Sequence, residues 1–104
     1  MRGIPEKDWK QLRAIQSAKV ALACERILSA AERIAKQRKD NEHEAFLKLW
    51  DEVNKGNELI AELFDDIRRS NALPKLIAWR KNNLLSEAEL DLFSEETQQV
   101  LRRA

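Results

Sequence analysis

The chain has 104 residues, 43% hydrophobic and 36% charged, with two Gly, two Pro, one Cys and no Tyr. That size fits one domain over 1–104, and the abundance of Leu, Ala, Glu, Lys, Arg and Gln argues for helices and against a sheet. A net charge of +1 shows no overall bias toward a polyanion. No 18-residue apolar run offers a membrane span, and the start Met-Arg-Gly-Ile-Pro-Glu-Lys-Asp turns polar where a signal peptide needs its apolar region, so the expectation is a soluble cytoplasmic protein.

The first helix is expected from Pro5 or Asp8 to about Arg38. Pro is accepted in a first turn, Glu6 and Asp8 suit the positive end of the helix dipole, and Lys36, Arg38 and Lys39 suit the negative end. Its apolar positions, including Leu12, Ile15, Leu22, Ile27, Leu28 and Ile34, form a band wider than a two-stranded seam, which implies neighbours on more than one side. Seven alanines between Ala14 and Ala35 leave room for close approach. Cys24 cannot form an internal disulfide and reads as a buried structural thiol, because Lys19 and Arg26 are poor partner bases for a nucleophile.

Asp40-Asn41 marks a turn and an N-cap for a second helix over 41–70, with Glu42 and Glu44 in its first turn. Phe46, Val53, Ile60 and Ile67 recur every seven residues, Leu49 and Leu63 hold a second heptad position, and Trp50 and Phe64 a third. The stripe keeps its phase across Lys55-Gly56-Asn57, where a loop would have no reason to do so. The second helix is therefore expected to run unbroken, with Gly56 as a notch for a close neighbour. Trp50 is expected in the core.

Pro74 opens a short third helix over 73–82, which Asn82-Asn83 can close. Ser86 and Glu89 form a capping box, with Leu85 able to staple onto Leu90. Leu90, Phe93, Thr97, Val100 and Leu101 continue one face through 86–103, either as one helix or with a restart at Ser94-Glu95-Glu96.

Charge is segregated along the chain. Residues 1–39 carry ten basic and four acidic side chains, 40–66 two and nine, 67–85 five and none, and 86–104 two and five. Complementary blocks favour antiparallel pairing of the first two helices, although exposed pairs contribute only about 0–1 kcal/mol each.

Four constellations are candidates for carrying chemistry. His43-Glu44 resembles the first half of a zinc-protease helix, but Leu47 stands where the second ligand belongs and no other His exists. Glu62 and Asp65 have the Glu-x-x-Asp spacing with which helical nucleotide pyrophosphohydrolases hold magnesium, and Glu58 and Asp66 lie nearby. The neighbouring helix offers only Glu25 and Glu32, seven apart, and Glu42 and Glu44 sit at a helix end, so the paired element is missing. Arg68, Arg69, Lys75, Arg80 and Lys81 could form a basic patch with Trp79 as a stacking ring. Read as helix–turn–helix, however, 73–103 would push Glu87, Glu89, Asp91, Glu95 and Glu96 into the groove. Finally, Trp79 and Arg80, with Leu84 and Leu85 beside them, offer an anchor for a protein partner, with Trp79 as a cap on the end of the bundle as the plainer reading.

The expected fold is all-α: a long antiparallel hairpin plus two or three short C-terminal helices, with the bundle completed by dimerisation. The expected function is a non-enzymatic protein–protein interaction module, an adaptor, accessory or regulatory subunit, that pairs with itself and with another protein and needs no cofactor. A nucleic-acid-associated regulator using the 67–85 block is the alternative, and a small magnesium-dependent hydrolase the third reading.

Overall fold

The computed structural model describes residues 3–104; Met1 and Arg2, with which the expected polar N-terminus begins, lie outside the described residues. Its helices are α1 (Glu6–Lys36), α2 (Glu42–Phe64), α3 (Ala72–Lys81), α4 (Glu87–Leu90) and α5 (Glu95–Arg103), with a 3-10 turn at Arg69–Asn71. The described residues contain no strand. The fold is the expected one: α1 and α2 pack as an antiparallel hairpin, and short helices fold back over one end of it. The molecule is elongated, 54 × 25 × 22 Å.

The hairpin turn is made at Asp40, whose φ of 60° is a left-handed conformation that Asp tolerates. Asn41 stands at the N-cap of α2, but its side chain makes no capping bond. The helix then passes through Gly56 without interruption, and Gly56 is buried against Ile27 of α1. The notch thus has its close neighbour. Among the described residues no ion pair joins α1 to α2. Apolar packing holds the hairpin, and the charge blocks on α1 and α2 do not act through direct pairs with each other.

The second helix is shorter than its heptad stripe implies, ending at Phe64 instead of residue 70. Asp65 turns extended, and Asp66 adopts a φ of 56°. Two carboxylates at the negative end of a helix dipole, with no base in the last turn, disfavour continuation. Asn71 stabilises the alternative, accepting a bond from Arg68 N at 2.7 Å and donating to the Asp66 carbonyl at 2.8 Å. Ile67 keeps the period of the stripe but lies outside the helix.

Asn83, at φ 59°, closes α3. Leu84 N donates to the Trp79 carbonyl and Asn83 N to the Arg80 carbonyl, which satisfies the last carbonyls of the helix. The capping box at Ser86 is present: Glu89 N donates to Ser86 Oγ at 3.2 Å and Ser86 N to Glu89 Oε1 at 2.9 Å. The C-terminal segment is two helices, since α4 stops at Leu90 and Ser94 caps α5.

The core lies where α3–α5 meet the hairpin. Leu12, Leu63, Leu76, Trp79, Leu90, Phe93 and Leu101 are almost fully buried there. Two charged residues are buried with them. Asp8 accepts bonds from Ser94 N (2.7 Å), Ser94 Oγ (2.6 Å) and Thr97 Oγ1 (2.6 Å), so a carboxylate of α1 sits at the start of α5. Lys19 pairs with Glu89 at 2.6 Å and ties α1 to the capping box.

Candidate functional site

The heptad stripe of α2 is split between two roles. Leu63 and Phe64 are core and Leu49, Ile60 and Ile67 are half-buried, whereas Phe46, Trp50 and Val53 remain 61%, 64% and 49% exposed. The expectation that Trp50 is core is thus corrected. The reason is that α3–α5 cover only one side of the hairpin, and the turn half of α2 projects beyond them.

The Ile27–Gly56 contact fixes which residues lie on which side. At about 100° per residue, and with the helices antiparallel, Ala23, Arg26, Glu52, Leu59 and Leu63 fall to one side of that contact. These residues line a cavity of about 240 Å³ roofed by Asn82 and Leu84. Arg26 donates to the carbonyls of Asn82 and Asn83 at 2.8 and 2.7 Å, which fastens the end of α3 to this side.

The opposite side carries Phe46, Trp50, Val53, Asn57 and Ile60 from α2, and Val20, Ala21, Cys24, Leu28, Ala31 and Ala35 from α1. None of these eleven residues is charged, although 36% of the chain is. Leu28 is 60% exposed, and Cys24 is half-buried on the same strip, not in the core. The result is a continuous apolar face with a large-residue ridge on α2 and an alanine-rich floor on α1. Exposed apolar residues scattered singly are ordinary, whereas a contiguous charge-free face is a candidate interaction surface.

The other sequence-derived sites fare differently. Trp79 is 0% exposed, its Nε1 donates to the Leu63 carbonyl at 2.9 Å, and its ring lies 5.4 Å from Phe64. It covers the end of α2 and satisfies a terminal carbonyl. Leu84 and Leu85 are also buried. Half-buried Arg80 donates to the Leu85 carbonyl at 2.7 Å and pairs with Glu87. The partner-binding patch expected at Trp79, Arg80, Leu84 and Leu85 is corrected on this ground: the C-terminal helices of the chain itself occupy it.

Most of the basic block is engaged internally as well. Arg68 pairs with Asp66, Arg69 with Glu6 and the Ile4 carbonyl, and Lys75 with the Glu62 carbonyl. With Trp79 buried, the expected stacking ring is not available to these cations. His43, Glu58, Glu62, Asp65 and Asp66 are exposed, and among the described residues no group of three His, Cys, Asp or Glu side chains is placed to hold a metal ion. No described helix is long and apolar enough to cross a membrane.

Asp8 and Lys19 are missed by sequence reading as structural residues. Asp8 looks like an ordinary first-turn acid, and Lys19 is flanked by apolar and small residues that give no sign of its partner. The one signal was position, since Lys19 interrupts the covered side of α1 between Leu12 and Ala23. Comparison of the chain with protein-family models, curated proteins and solved structures found no match.

Proposed function

We propose that this chain is a non-enzymatic helical interaction module, an adaptor, accessory or regulatory subunit that works in the cytoplasm through the uncovered face of its hairpin. The observation that carries the reading is the ridge Phe46–Trp50–Val53 on a face without charge. The core includes none of these three side chains, so they are not needed to complete the fold of a single chain. Aromatic residues, Trp above all, are enriched among the anchors of protein interfaces.

The alternative, a nucleic-acid-associated regulator using Arg68, Arg69, Lys75, Arg80 and Lys81, draws less support. Four of those five cations already bond within the chain. Releasing them for phosphates would cost those bonds.

Capture from native cells with the wild-type chain and with Trp50→Glu tests the proposal. Proteins held by the wild type and lost with Trp50→Glu are the expected result. Identical sets from both would overturn it, and recovery of nucleic acid in a salt-sensitive manner would favour the alternative.

A further inference from the structure

We infer that the occupant of this face is a second copy of the chain, placed by a twofold axis parallel to the helices, so that α2 of each copy seats on α1 of the other. This rests on the interaction-module reading and adds the partner and its arrangement.

Shape supports a self-pairing face. Ridge and floor lie side by side on the same surface, which is what a self-complementary twofold contact needs. The Ile27–Gly56 contact sets the register. Four residues further along α1 lie level with four residues back along α2, so Ala31 is level with Glu52, one residue from Val53, and Ala35 lies between Phe46 and Trp50 in height. A twofold axis parallel to the helices keeps these heights. It brings Val53 over the partner's Ala31, and Phe46 and Trp50 around the partner's Ala35. An axis perpendicular to the helices would instead stack aromatic ridge on aromatic ridge and leave alanine facing alanine, with a void between.

Charge agrees with the same arrangement. Arg33 and Lys36 lie in the last turn of α1, and Glu42 and Glu44 in the first turn of α2. By the same 100° rule Arg33 falls on the side of Arg26, away from the face, so it is the opposed helix dipoles at equal height, and not a direct ion pair, that favour this seating. The area is also adequate. A face two helices wide, about 20 Å, and about 25 Å long from Val20 to the level of Phe46 covers about 500 Å² per copy, or about 1,000 Å² over the pair, the lower bound for a specific interface.

The test uses the full chain with Cys24→Ala, so that every thiol is introduced. Ala31→Cys and Val53→Cys are made in separate preparations, mixed, allowed to exchange, and treated with a short bismaleimide. The arrangement predicts a covalent dimer in the mixture and little or none from either variant alone, because like positions lie diagonally across a four-helix bundle. Equal cross-linking by Ala31→Cys alone or Val53→Cys alone would overturn the parallel axis. A chain that stays monomeric by sedimentation would overturn the second copy as occupant. Were that monomer still to lose captured proteins with Trp50→Glu, the interaction-module reading would stand without it.

Discussion

Ile27 lies directly over Gly56: a β-carbon added at position 56 would come within 2.7 Å of Ile27 Cδ1 and 3.0 Å of both its γ carbons. The γ carbons of a β-branched side chain cannot swing clear as a flexible tip can. Gly inside a helix costs about 1 kcal/mol relative to Ala, so Gly56→Ala sets a gain in helix propensity against overlap with Ile27. We expect Gly56→Ala to leave stability unchanged or lower in the wild type and to raise it in an Ile27→Ala background. Urea denaturation of the four proteins of that cycle reads the sign directly. Stabilisation by Gly56→Ala in both backgrounds would mean that the notch is not filled.

Asp8 receives three hydrogen bonds at the start of α5 while fully buried. Asp8→Ala should therefore destabilise by about 3 kcal/mol or more, since it leaves Ser94 N and two hydroxyls without their acceptor. Asp8→Asn should cost less, because one acceptor oxygen remains. Hydrogen exchange should show the α5 amides losing protection in both variants before those of α2.

The hairpin, the passage through Gly56 and the capping box at Ser86 were legible in the sequence because each is written in local spacing. The end of α2 was not, since Ile67 continues the heptad phase while Asp65 and Asp66 stop the helix. Nor was the burial of Trp79 as against the exposure of Trp50. Both lie among apolar neighbours, and which is covered depends on where α3 crosses the hairpin. That crossing is set by Arg26 reaching the Asn82 and Asn83 carbonyls, 56 and 57 residues away. The candidate face follows from the same crossing, so periodicity could name its residues but not say which were left open.

Trp79 supports a further expectation. Trp79→Ala should lower stability by about 3–5 kcal/mol, as for a large aromatic removed from a core. Trp79→Phe should recover the packing against Phe64 but leave the Leu63 carbonyl without its donor, giving an intermediate loss. A melting temperature unaffected by Trp79→Ala would contradict the placement of this ring.

Glu89 sets the pH dependence. Burial pushes its carboxyl up, but the Lys19 ammonium at 2.6 Å and the Ser86 backbone N–H more than offset this, so it titrates below its ordinary value of 4.5. A group depressed in the folded state contributes its stability in full above the unfolded value, and that contribution is lost as pH falls through the folded one. Glu89→Gln should lower stability at neutral pH and flatten its decline below pH 4.5. Melting temperatures of the two proteins across that range check the slope; parallel curves would remove Glu89 from the acid response.

The claim that the open hairpin face joins two copies of the chain is tested most directly by sedimentation equilibrium of the wild type beside Val53→Glu. Val53 is 49% exposed in the single chain, so a carboxylate there meets water in the monomer and is buried only when the face is covered. The wild type should sediment at about twice the 12.1 kDa chain mass, and Val53→Glu at the chain mass with its helical circular dichroism retained. A wild type that sediments at the chain mass, or a Val53→Glu variant that remains dimeric, would contradict it.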